Sequence, residues 1–145
     1  MLQLEEITTD IEGQSVYTLI GYAVQCMLYN KNYSLYPIVS IQIWTEHAIV
    51  HRQIKFVFDV SGEPVAYLTW AYLKNDTVER LIHDPYFRLH SSEWNEDGDM
   101  WILDFCCKPG YGRVVINYLK KFEIFKNRHV CWLTRKKIVK KLFVF

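Results

Sequence analysis

Glycine and proline are scarce in this chain, six and four among 145 residues, and no segment is repetitive or low in complexity. That composition excludes collagen-like, linker-rich and disordered classes. No apolar run approaches the ~20 residues that a bilayer-spanning helix needs; the longest nearly apolar stretches are Val16–Leu28 and Pro37–Trp44. The opening residues include Glu5 and Glu6 and carry no basic segment of the kind that starts a secretory signal, so the expected location is the cytoplasm, with no membrane span. Cysteines number four, Cys26, Cys106, Cys107 and Cys131, and none stands in Cys-x-x-Cys spacing. Zinc ribbons and disulfide scaffolds are thereby excluded, and reduced thiols in a core are expected. Acidic residues almost vanish from the last quarter: from Lys108 onward 11 Lys and Arg face one Glu, whereas the preceding residues hold 6 basic against 15 acidic side chains. The halves are opposite in sign, which suits either an acidic partner or mutual neutralisation across one fold.

What the chain does have is apolar mass. Half of its residues are hydrophobic and 16% aromatic, against 23% charged, which is ample to offset the entropy of ordering one domain over residues 1–145. Val16, Leu19, Ile20, Ala23, Val24 and Met27 recur at helical spacing behind Ser15, a suitable N-cap. Pro37 fits the first turn of a second helix reaching about Arg52. Ile54–Val60 and Val65–Leu73, joined through Ser61-Gly62-Glu63-Pro64, form a β-hairpin pattern. Asn75 or Asp76 can cap a short helix ending at His83 before Pro85, and the polar stretch Phe87–Asp99 is expected as a surface loop. Met100–Cys107 is apolar except for Asp104, the pattern of a central strand. After the Lys108–Gly112 turn, Arg113–Phe125 has helical spacing; Val130–Thr134 and Ile138–Phe145 are further strand candidates. The fold class is α/β: one mainly antiparallel sheet flanked by helices.

Few of these residues promise chemistry. Asp104, a carboxylate inside an apolar strand, needs hydrogen bonds or a charge partner such as Arg113 to repay its lost hydration, and it is equally a candidate active-site group. The turn Lys108-Pro109-Gly110-Tyr111-Gly112 opens a helix, where glycines let backbone N–H groups approach an anion, although such glycines more often serve turn geometry alone. Either Cys106 or Cys107 shares a face with Asp104, and buried inert thiols are the simpler reading. His47 and His51 stand at i,i+4 spacing without a third ligand, so no metal is assigned. The basic tail from Arg135 lacks any nucleic-acid motif, and a lysine-protected edge strand explains it better.

The stretch Glu63-Pro-Val-Ala-Tyr-Leu-Thr-Trp-Ala71, the strand Met100-Trp-Ile-Leu-Asp-Phe105 and the Pro-Gly turn leading into a Lys-rich helix together resemble the toxin-activating lysine acyltransferases. These are the C proteins that acylate RTX protoxins such as hemolysin. The likeness runs from about Leu19 to about Thr134. It implies an acetyltransferase-like (GNAT-like) fold, no bound cofactor, an acyl donor used as substrate, acyl carrier protein as the family's donor and a secreted toxin as acceptor. The family relies on a His shortly before a Trp-Pro dipeptide and on an Asp in the central strand. Asp104 matches the second; the distance to Pro37 puts Tyr33 where the His would stand. A phenol of ordinary pKa near ~10 is a poor general base. Asp104 and Tyr33 are therefore the expected catalytic pair, with Tyr36, Lys108, Gly110, Tyr111, Gly112 and Arg113 as expected substrate contacts.

The resemblance implies maturation of a secreted bacterial toxin or microcin by acyl transfer. The altered His position points to relatives that join a glycosylated catecholate siderophore to a microcin's C-terminal serine together with a partner protein. Lysine acylation of an RTX protoxin from acyl carrier protein is the alternative. A catalytically degenerate binding subunit, acting with a maturation partner or as a homodimer, is the third expectation.

Overall fold

The computed structural model describes residues 4–6, 13–134 and 139–143. Six strands form one sheet in the order in which they occur in the chain: β1 Leu4–Glu6, β2 Ile54–Asp59, β3 Pro64–Leu73, β4 Asp99–Cys107, β5 His129–Leu133 and β6 Val139–Phe143. All neighbours are antiparallel except β4 and β5, which run parallel. A parallel pair needs a crossover, and α4, Gly112–Leu119, supplies it. This is the mainly antiparallel α/β architecture that the alternation of patterns predicts.

Helix α1, Val16–Tyr29, begins where expected: the Ser15 hydroxyl accepts from the Thr18 N–H at 3.1 Å. Leu19, Ala23, Cys26 and Met27 form its buried stripe, packed on the sheet face that carries Phe56, Phe58, Tyr67, Trp101 and Cys106. The opposite face buries Val57, Leu68, Trp70 and Met100 against Val115 and Leu119 of α4 and against Phe125. The sheet is thus covered on both sides, and β3 is buried almost throughout.

Several elements depart from the sequence reading. The helix expected from Pro37 to Arg52 is not regular. It widens into a π-turn over Ile41–Thr45 before α2, Glu46–Val50, and Pro37 precedes the helix, its carbonyl accepting from Ser40. Helix α3, Asn75–His83, has Lys74 rather than Asn75 or Asp76 at the cap position. The stretch expected as a surface loop, Phe87–Asp99, is mostly exposed and holds a 3-10 turn over Ser91–Glu93, while Leu89 and Trp94, 3% and 1% exposed, pin it to the core. Trp94 stacks on both His51 and His47, so the two histidines at i,i+4 spacing are packing partners of an indole. Gly98 is required here: a Cβ would lie 1.8 Å from the Leu73 carbonyl oxygen. The helix expected over Arg113–Phe125 stops at Leu119, and a 3-10 turn covers Glu123–Phe125. The strand expected over Ile138–Phe145 is present as β6, with its first and last residues outside the described ones. Among the described residues no helix is long and apolar enough to cross a membrane.

Candidate active site

The site is built where the sheet parts. β4 pairs with β5 only at Met100, Trp101 and Ile102, while β3 accompanies β4 along its whole length. Beyond Ile102 the β5 side of β4 is open. The β3–β4 register also shifts there: Thr69 faces Asp104 while Trp70 faces Ile102, leaving Leu103 as an extra residue on β4. Such a bulge bends a strand and re-aims its side chains.

Two cavities meet at this opening. One, of about 490 Å³, is lined by Asp104 together with Tyr36, Trp44, Leu81, Phe87 and Thr134 on the α1 side of the sheet. The other, of about 600 Å³, is lined by Tyr33, Leu68, Phe105, Ile116, Leu119 and Trp132, mostly on the α4 side. Tyr36, Ile102, Leu103 and Leu133 line both. These four shared residues form a collar between the two cavities.

Asp104 stands at that collar. Its Oδ1 accepts from the Tyr33 hydroxyl at 3.1 Å, and its Oδ2 accepts from the Thr69 hydroxyl at 3.3 Å. Among the described residues no cation pairs with it, so the ion pair with Arg113 considered from the sequence is not formed. Asp104 keeps part of its area open toward the cavity. Loss of hydration nevertheless raises its pKa above the usual carboxylate range, with the Tyr33 and Thr69 hydrogen bonds opposing the rise. A carboxyl displaced upward, bound by two hydroxyl donors and facing a cavity is suited to take a proton from a bound substrate.

Tyr33 cannot take that part. Burial first, then the negative charge of Asp104, hold its phenol far above its ordinary pKa. It therefore stays protonated and acts as a hydrogen-bond donor. Its ring packs at 5.0 Å from Tyr36 and edge-on to Tyr67 at 6.3 Å, and Asn30 Oδ1 accepts from its backbone N–H. The thiols are poor nucleophiles: burial pushes Cys107 up to about 11 and Cys106 higher still.

Tyr33, Tyr36 and Asp104 are thus brought together, whereas the remaining expected contacts are not. Lys108, Gly110, Tyr111, Gly112 and Arg113 line neither cavity. The Lys108 ammonium lies 4.5 Å from the centre of the Tyr29 ring and 3.9 Å from Glu63 Oε1. Gly110, at φ +88°, serves the turn into α4. Thr69 and Leu103, which sequence reasoning did not single out, belong to the site instead. Their roles arise from the bulge, which alternation of apolar residues does not reveal.

The model of the RTX toxin acyltransferase family matches residues 12–144. The chain belongs to that family. No curated protein gives a significant match. Family membership makes this an acyltransferase-type enzyme of toxin activation, with a toxin precursor as the family's substrate, and the α/β architecture agrees with it. The match spans both strands and turns that carried the resemblance, and it includes Tyr33, Thr69 and Asp104.

Proposed function

We propose that this chain matures a secreted bacterial toxin or microcin by acyl transfer at Asp104, and that the reaction joins a glycosylated catecholate siderophore to the C-terminal serine of a microcin, with a partner protein. The observation that carries it is Asp104, held by two hydroxyls and, among the described residues, paired with no cation, in the wall of a cavity lined by aromatic rings. Tyr36, Trp44 and Phe87 offer ring faces on which flat catechol rings can stack. In the transfer step the serine hydroxyl attacks the acyl carbonyl of a siderophore activated as an ester or thioester, the new ester C–O bond forms as the bond to the activating group breaks, the serine proton passes to Asp104, and Asp104 returns it to the departing alcohol or thiol. Tyr33 and Thr69 hold the carboxylate meanwhile. The donor is a substrate and no cofactor is required.

Lysine acylation of an RTX protoxin from acyl carrier protein is the second reading. It is favoured by the mainly apolar lining of the larger cavity, which suits an alkyl chain. Among the described residues Lys120 is the one Lys or Arg lining either cavity. Intact-mass measurement separates the two. The chain is incubated with its partner and a microcin precursor plus glycosylated siderophore, and in parallel with acyl carrier protein and a protoxin. A siderophore-sized mass gain on the precursor supports the first reading; a fatty-acyl gain on lysine supports the second. Turnover by the partner without this chain would leave it a binding subunit.

Tyr33→Phe removes one of the two donors to Asp104 and keeps the ring. We expect about a tenfold lower turnover, the usual scale of a lost hydrogen bond to a charged group, with unchanged acceptor KM. Because a donor to the ionised form is lost, the Asp104 pKa rises and the defect is larger at lower pH. Initial rates at several pH values measure it.

A further inference from the structure

We propose that Thr69 is the positioning residue that sets both the direction and the charge state of Asp104. This inference rests on the assignment of Asp104 as the proton acceptor. Thr69 is 1% exposed and sits opposite Asp104 across the β3–β4 ladder, next to the register shift. Its hydroxyl makes two bonds to the same residue: it accepts from the Asp104 backbone N–H at 3.1 Å and donates to Asp104 Oδ2 at 3.3 Å.

The bulge explains why a side chain is needed. An extra residue on one strand disrupts the ladder, and an N–H beside it needs another acceptor. Thr69 supplies that acceptor from a rigid, β-branched side chain with restricted χ1. The same oxygen then has one proton to give, and it goes to the carboxylate. Backbone and carboxyl of Asp104 are clamped through one atom, with the second carboxyl oxygen left to Tyr33. Serine could make the same bonds from a freer side chain; valine, of similar shape, could make neither.

Among the described residues the titratable groups facing Asp104 are Tyr33 from a 3-10 turn over Tyr33–Leu35, Tyr67 from β3 and Cys106 from β4 itself. Burial raises all three, and none is charged at neutral pH. Asp84, which lines the same cavity, is the other charged side chain there. Among the described residues the two hydroxyl donors are thus what stabilises the ionised carboxyl.

The test reads the carboxyl directly. Full-length protein carrying 13C-labelled aspartate is titrated by NMR, with the Asp104 signal assigned by its loss in Asp104→Asn. Thr69→Val is expected to raise the Asp104 midpoint by about one pH unit, and Thr69→Ser to restore it. The acid limb of kcat should move by the same amount with acceptor KM unchanged, a split that a packing role would not produce. If Thr69→Val does not fold, Thr69→Cys keeps the volume with a far weaker donor and is read the same way. An unchanged midpoint, or a loss of rate equal at all pH values, overturns the assignment to Thr69. Retained transfer by Asp104→Asn overturns instead the reading on which it rests, so the two failures are distinct.

Discussion

Asp104→Asn is expected to lower acyl transfer by about 10³-fold or more while leaving the melting temperature at neutral pH unchanged or higher. The first half follows from chemistry: an amide cannot accept the proton of the attacking group, and lost general-base catalysis costs roughly 10²–10⁴-fold. The second half follows from linkage. The Asp104 pKa is raised in the fold by loss of hydration, so between the unfolded and folded pKa values the native state binds more protons than the unfolded chain. Stability is then lost as pH rises through the folded pKa, and above it the ionised carboxylate burdens the fold. Asparagine keeps partners for Tyr33 and Thr69, whose hydroxyls can turn to accept, and carries no charge. The stabilisation relative to wild type should shrink as pH falls below the folded pKa, where the native carboxyl is itself neutral. Thermal melts at about pH 4 and about pH 8, beside transfer rates, test both halves. A mutant that melts far below wild type at both pH values would identify Asp104 as a structural group.

Much of the scaffold could be read in advance because it depends on local pattern. Ser15 ahead of an apolar stripe sets the start of α1, the turn before Pro64 sets the hairpin, and the apolar run ending at Cys107 sets β4. Asp104 was visible for the same reason, as a carboxylate in the wrong company. Its partners were not. Tyr33 is 71 residues away and Thr69 is 35, and their approach depends on strand pairing and on a bulge that no periodicity marks. Tyr33 stood out only through its spacing from Pro37 under the family resemblance.

Proximity along the chain suggests Lys108 and Arg113, yet neither lines a cavity. Lys108 follows Asp104 by four residues, which along a strand is about 13 Å. The turn that looked like part of the site therefore lies past its end, where Lys108 packs on Tyr29 and Tyr111. Helix endings were blurred in a similar way. Phe122 and Phe125 continue the apolar spacing of α4, but Phe125 is fully buried through a 3-10 turn. Burial of that ring against Trp70, at 5.5 Å, overrides the helical pattern. Trp94 shows the converse, one indole fixing an otherwise polar stretch.

Leu103→Trp is expected to reduce transfer by about 10²-fold without unfolding the protein. Leu103 is the bulged residue of β4, is half-buried and lines both cavities. An indole in that position fills space in the collar formed with Tyr36, Ile102 and Leu133. Overpacking a closed core costs roughly 1–3 kcal/mol, but here the added atoms have cavities of about 490 and 600 Å³ beside them. Thermal stability should therefore stay near wild type. Function should not, because donor and acceptor must come within about 3–3.5 Å of each other for attack, and the plug separates the two sides at Asp104. Leu103→Ala is the control in the opposite direction: it widens the collar, so turnover with a bulky donor should persist while stability falls by about 1–3 kcal/mol. Steady-state kinetics with both substrates varied, read beside thermal melts, separate the cases. Full activity in a folded Leu103→Trp would mean that the reacting groups do not meet beside Leu103.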